Sequence, residues 1–141
     1  MKKICFVCVG NTCRSPMAEK IFNDMAKNKG IKGVKAYSAG ISCPDGENME
    51  IKAKRALKKL GYNCGAKKSS RVKQIEKNVL YITMTQEIRQ SFNSGKVISF
   101  YDLFKLNISD PYGKSQEVYD QTAVQIENCI KVLVEKIQKI I

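Results

Sequence analysis

The chain has 141 residues and a mass of 15.9 kDa, which fits one domain spanning residues 1–141 and not two. Apolar residues make up 43% and charged residues 27%, a globular composition, and no apolar run approaches the roughly 20 residues that span a bilayer. With 25 basic and 13 acidic residues the formal charge is +12, carried by Lys scattered over the whole length, which reads as a solvated surface and not a nucleic-acid groove.

Residues 3–8 (KICFVC) form a short apolar run, the pattern of a strand buried on both faces. From Ser15 to about Lys29, apolar residues recur at Met17, Ala18, Ile21, Phe22, Met25 and Ala26, which predicts a helix. Residues 34–39 read as a second strand ended by Gly40. A helix is predicted over 49–60, with Ala53, Ala56, Leu57 and Leu60 on one face and Gly61 as its stop. Residues 78–84 give a third strand, 85–93 a short helix, and 96–100 (KVISF) a fourth strand. Over about 115–140, Tyr119, Ala123, Ile126, Ile130, Leu133, Ile137 and Ile140 recur at steps of four and three. That spacing suits a coiled-coil seam, but three heptads closing an alternating chain read better as a helix docked on a sheet. Strands alternating with helices predict an α/β fold, a parallel sheet with helices on both faces and ligands beyond the carboxyl ends of the strands.

The first strand runs directly into Cys8-Val9-Gly10-Asn11-Thr12-Cys13-Arg14-Ser15-Pro16. Peptide N–H groups of a short loop and of a helix N-terminus can converge on an oxyanion. Gly10 permits a tight turn, and Asn11 tolerates a left-handed conformation. Pro16 suits the first turn of a helix. Arg14 offers a bidentate fork to a phosphate. Cys8 would lie at the base of this cradle, in a positive field that favours the nucleophilic thiolate, with Ser15 as a hydrogen-bond donor to it. Later in the chain, Asp110 is a candidate proton donor on a loop stiffened by Pro111. Cys13, five positions from Cys8, could trap an oxidised Cys8 as a disulfide. Cys5 and Cys129 read as core, whereas Cys43 and Cys64 carry no assignment. The cysteines read as intracellular thiols. The N-terminus MKKICFVC lacks a small-residue cleavage site, so a secreted precursor is not expected, and with no His and no paired C-x2-C knuckles neither is zinc.

The stretch VCVGNTCRSPMAE (residues 7–19) closely resembles the low-molecular-weight protein tyrosine phosphatase family. The resemblance extends to Ser38-Ala39-Gly40, Met84-Thr85 and Asp110-Pro111-Tyr112, and covers nearly the whole chain. It implies a four-stranded parallel sheet in the order 2-1-3-4, no metal or cofactor, and hydrolysis of phosphorylated protein substrates in two steps. Cys8 would attack phosphorus while Asp110 protonates the leaving group, and Asp110 would then activate water against the phosphocysteine. Arg14 and the loop 9–15 would stabilise the equatorial oxygens, Ser38 would brace Asn11, and Tyr112 would form a pocket wall. Thr12 departs from the branched apolar residue usual in the tyrosine-specific branch, and resembles a bacterial branch acting on phosphoarginine. Gly113 follows Tyr112 where many eukaryotic members have a second aromatic. Phosphoarginine and phosphotyrosine both stay open.

The same scaffold could carry an arsenate reductase, but residues 80–95 lack the further Cys pair expected there. A phosphocysteine carrier or a non-catalytic phosphate-binding module is disfavoured by Cys8, Arg14 and Asp110 occurring together. No groove-reading motif supports nucleic-acid binding, and no membrane partner is expected. The resemblance and the missing targeting signals predict a cytoplasmic protein, expected as a monomer.

Overall fold

The run Ile4-Cys5-Phe6-Val7-Cys8 offers no charged side chain to either face, so it is stable only where both faces are covered. The computed structural model, which describes residues 2–140, places it so. Strand β1 (Lys2–Cys8) lies between β2 (Val34–Gly40) and β3 (Val79–Thr83), and residues 4–8 are all at most 2% exposed. With β4 (Val97–Ser99) the sheet has the order β2-β1-β3-β4, parallel throughout. The register pairs Cys8 with Gly40 and Val7 with Thr83, so the chain leaves three strands at one level, above the same end of the sheet.

Helix α1 (Arg14–Asn28) buries all six apolar residues of the predicted stripe. Helix α2 (Ile51–Lys59) buries Ala53, Ala56 and Leu57, with Leu60 half-buried behind them. Gly61 takes φ +92°, and the N–H groups of Gly61 and Tyr62 bond back to Lys58 and Leu57, a paired closure that needs a left-handed residue at its centre. Helix α5 (Gln116–Ile140) packs on α1 and α2. Its seam is a docking face: Tyr119, Ala123, Ile126, Ile130, Leu133 and Ile137 are buried, and the Ile140 side chain lies outside the described residues. Among the described residues no helix is long and apolar enough to cross a membrane.

Two expectations need correction. The helix after β3 is one turn, α3 (Gln86–Arg89), opened by Thr85, whose hydroxyl accepts the Ile88 N–H at 3.1 Å. The fourth strand ends at Ser99, and Phe100 begins an unforeseen helix, α4 (Phe100–Phe104). Ser99 and Asp102 exchange side-chain and backbone hydrogen bonds at 3.0 and 2.9 Å, a capping box that turns the chain into a helix at once. Phe100 then packs edge-on to Phe6 of β1, ring centroids 6.3 Å apart.

Gly40, read from sequence as the stop after β2, is its last residue and has a steric duty. A Cβ there would stand 2.5 Å from the Val9 carbonyl and 2.8 Å from the Cys43 Sγ. The loop after β1 and the loop after β2 thus meet across a bare Cα. Gly40→Ala is expected to destabilise the fold by about 1–3 kcal/mol, as overpacking does. Urea unfolding with an unchanged slope measures this; an unmoved midpoint would mean that one of the two loops simply yields.

Candidate active site

The nine residues after Phe6 and Val7 fold around one side chain. Asn11 is 1% exposed and holds φ +53°, so the tight turn belongs to Asn11. The left-handed conformation expected of Asn11 is thus present, while Gly10 beside it has no positive φ. A Cβ on Gly10 would meet only Thr12 Oγ1, at 3.7 Å. All four hydrogen-bonding positions of the Asn11 amide are used. Its Nδ2 donates to Ser15 Oγ at 2.9 Å and to Ser38 Oγ at 3.0 Å, and its Oδ1 accepts from Lys67 Nζ at 3.1 Å and the Ser70 N–H at 2.8 Å.

Those bonds settle the direction of their neighbours. Ser15 accepts from Asn11, so its own proton is free for Cys8 Sγ, 2.8 Å away. The Asn11 N–H points at the same sulfur, at 3.2 Å. Cys8, the last residue of β1 and 2% exposed, therefore has two donors on its sulfur. Ser38 likewise accepts from Asn11 and donates to the buried Glu19 at 2.6 Å, whose other oxygen lies 3.3 Å from Lys20 Nζ. No side chain caps α1, which leaves the amides of its first turn for an incoming oxyanion.

Arg14 is 4% exposed. Its Nη1 donates to the Ile108 carbonyl at 2.9 Å, its Nη2 stands 3.7 Å from Asp110 Oδ2, and its Nε has no partner among the protein atoms. Asp110 is about half exposed, and its Oδ1 accepts the Tyr112 N–H at 3.0 Å. Cys13 Sγ lies 3.7 Å from that same oxygen. Burial pushes the Cys13 thiol up to about 12, and the neighbouring Cys8 and Asp110 add to the shift, so Cys13 is a protonated donor here.

Cys8, Arg14, Thr12, Asp110 and Tyr112 all line one cleft of about 260 Å3, with Val9, Gly10 and Cys13 beside them. Tyr112 stands at its mouth, 68% exposed. Ser15, Asn11 and Ser38 lie beneath, out of reach of the cleft. Cys43, unassigned from sequence, is on the cleft wall, and burial raises its thiol too. Cys64 is half-buried away from it, while Cys5 and Cys129 are in the core.

Sequence reading missed several contributors. Glu47 and Glu50 line the cleft from the loop between β2 and α2, and the Glu50 N–H holds the Thr12 carbonyl at 2.8 Å. Lys67 donates to Asn11, to the Ser38 carbonyl at 3.4 Å and to the Lys68 carbonyl at 2.7 Å. Burial pulls its ammonium down from the ordinary lysine range, while Glu19 pulls the other way. Lys67 stands 56 positions from Asn11, among many other lysines, and nothing local marks it.

The pattern of the family described as "Low molecular weight phosphotyrosine protein phosphatase" matches residues 3–140. The chain belongs to this family. A protein-arginine-phosphatase of Geobacillus stearothermophilus is 34% identical, with 96% of each chain covered. A low molecular weight protein-tyrosine-phosphatase, Ptp, of Acinetobacter johnsonii is 32% identical over 92% of this chain and 93% of its own. Among solved structures, a YwlE arginine phosphatase with serine in place of cysteine, and that active-site serine phosphorylated, superposes with a TM-score of 0.90. It is 29% identical, over 97% of this chain and 96% of that one. The chain is thus an enzyme of the low molecular weight phosphatase family.

Lys67 is a positioning group for the loop of such a phosphatase, since it touches Asn11 and not the cleft. Lys67→Met, which keeps the stem and removes the donors, is expected to lower kcat on a phosphate ester by about tenfold with KM little changed. An unaltered kcat would show that Ser70 alone holds the Asn11 oxygen.

Proposed function

We propose that this chain hydrolyses phosphorylated side chains of proteins through a phosphocysteine at Cys8, with phosphoarginine preferred. One observation carries the catalytic reading: a buried sulfur with two donors on it lies in the same cleft as a buried guanidinium whose Nε is unpartnered. Cys8, as thiolate, attacks phosphorus in line. The P–N bond of phosphoarginine, or the P–O bond of phosphotyrosine, breaks as Asp110 delivers its proton to the departing atom. Asp110 then takes a proton from water, whose oxygen displaces the sulfur, and inorganic phosphate leaves. Arg14 and the loop amides of residues 9–15 hold the equatorial oxygens in both steps, where most of the stabilisation in phosphoryl transfer resides. Ser15 keeps its bond to the sulfur as it leaves. In this reading the chain works as a single phosphatase domain, a monomer, in the cytoplasm.

The preference rests on the walls. Among the described residues Arg14 is the one cationic residue lining the cleft, against three carboxylates, Glu47, Glu50 and Asp110, and the Thr12 side chain. A guanidinium brings several N–H donors and meets acceptors there; a phenol ring brings none on its flanks. Two of the relatives noted above are arginine phosphatases. The exposed apolar Val9 and Tyr112 at the mouth favour the second reading, phosphotyrosine.

Initial rates on a phosphoarginine peptide and a phosphotyrosine peptide separate the two, with Cys8→Ser as the blank. Wild type is expected to favour phosphoarginine, and Thr12→Ile to reduce that preference by about tenfold or more, since an unmet polar group is penalised. Preference for phosphotyrosine in both proteins would make Thr12 a neutral variation.

Cys13 is proposed as the resolving thiol for oxidised Cys8. Peroxide converts the Cys8 thiolate to a sulfenic acid, reducing the peroxide, and the Cys13 thiol displaces water from it to close a disulfide. After mild peroxide, dithiothreitol is expected to restore activity to wild type and to Cys43→Ser, and far less to Cys13→Ser. Equal recovery in all three would remove Cys13 from this role.

A further inference from the structure

The cleft is not closed on the side of Arg14 and Asp110. Val9, Arg14 and Asp110 also line a neighbouring hollow of about 440 Å3, which continues over Ile41, Ile88 and Ser91. Ile41 and Ser91 in turn border a third hollow of about 410 Å3, formed by Val72, Ile75 and Phe92. The three hollows adjoin through these shared residues, and we treat them as one trough that starts at the Cys8 loop and ends at Phe92. Val9 is exposed, and Ile41, Val72, Ile75 and Phe92, packed against the core, are each half-buried, so apolar side chains with part of their surface in solvent recur along these hollows. Its charges are few and mixed: Glu87 lies opposite Arg14, and Lys73 is paired with Asp45 at 3.2 Å.

We propose that this trough is a substrate subsite, binding the polypeptide on one side of the phosphoresidue and seating an apolar residue next to it. The inference rests on the phosphatase reading above. The occupant follows from continuity: whatever enters the trough at Val9 and Asp110 is already at the reacting phosphate. A small phosphate ester fills only the cleft, whereas a protein substrate must route its chain out past one rim. The cleft itself is lined by Glu47 and Glu50, whereas the third hollow is lined by Ile41, Val72, Ile75 and Phe92. Partly exposed apolar side chains in a row, adjoining polar chemistry, are the composition of a recognition groove. The sheet builds it, because parallel strands release their loops at the same end.

The test compares p-nitrophenyl phosphate with three peptides carrying whichever phosphoresidue wild type cleaves. One has Leu immediately before the phosphoresidue, one immediately after, and one Asp at both positions. Wild type is expected to favour one Leu peptide alone over the Asp peptide, by about tenfold in kcat/KM, the worth of one well-seated apolar side chain. Ile75→Lys and Phe92→Glu should each abolish that preference and leave kcat/KM on p-nitrophenyl phosphate unchanged within about twofold. Equal preference for both Leu peptides, or for none, overturns the subsite. So does a parallel loss on the small ester and the peptide in both variants, which would be damage to the fold. Failure of wild type to cleave p-nitrophenyl phosphate or any phosphopeptide would instead overturn the phosphatase reading, and the subsite with it.

Discussion

The site depends on one buried amide. Asn11 is held in a backbone conformation that costs an ordinary residue about 1–2 kcal/mol, and asparagine is among the few types that visit it routinely. Four hydrogen bonds compensate. Each contributes only about 1 kcal/mol net, yet a partner left unpaired in the interior costs about 1–3 kcal/mol. The bonds therefore matter less as separate attractions than as a closed set. They join the loop after β1 to Ser38 of β2 and to Lys67 and Ser70 beyond α2. They also decide which way the Ser15 proton points, and so that the Cys8 sulfur receives a donor.

Above that floor the charges are loosely held, and this suits turnover. Arg14 and Asp110 are 3.7 Å apart, one buried and one half in water, a pair too open and too wet to lock either partner. Arg14 keeps an unpartnered Nε for a phosphate oxygen, while its one strong bond is to the Ile108 carbonyl, which steadies the segment leading to Asp110. The +12 charge of the chain raises the encounter rate with phosphorylated partners, but the cleft wall contributes carboxylates. Long-range attraction and short-range selection thus run in opposite senses. In the proposed mechanism a dianionic phosphate is drawn in and held by Arg14 and the amides, and the group that bears it must satisfy acceptors.

What was legible in the sequence was local. The apolar run 4–8, the stripe of α1 and the α5 seam each declare themselves within a few turns, and the sheet order came with the resemblance carried by residues 7–19. The loop's residue types also point to its chemistry, and the left-handed conformation that asparagine tolerates is the one Asn11 adopts. Residues 96–100 read as one apolar strand because their hydrophobicity masks the capping pair Ser99-x-x-Asp102, which starts a helix. The contacts of Lys67, Glu19, Glu47 and Glu50 were not legible. Each is a charged residue on a chain rich in charge, and each acquires its role only when separate segments are brought together, Lys67 standing 56 positions from Asn11 and Glu19 standing 19 from Ser38.

The division between floor and rim follows from the same topology. The floor is made by the end of β1 and the start of α1, two elements buried by the core, so its geometry is fixed by packing and tolerates little change. The rims come from four separate segments: 41–50 with Glu47 and Glu50, 72–75 with Val72 and Ile75, 84–93 with Ser91 and Phe92, and 107–113 with Asp110 and Tyr112. Surface loops exchange side chains without disturbing a parallel sheet. Among the rim residues the proposed mechanism uses Asp110 alone, which stands 3.7 Å from both Arg14 and Cys13 of the floor. A scaffold of this kind can keep one phosphoryl-transfer floor and change what it accepts by altering the rims alone. On the proposed reading, the apolar trough and the carboxylates of the cleft are therefore where the selectivity of this chain resides.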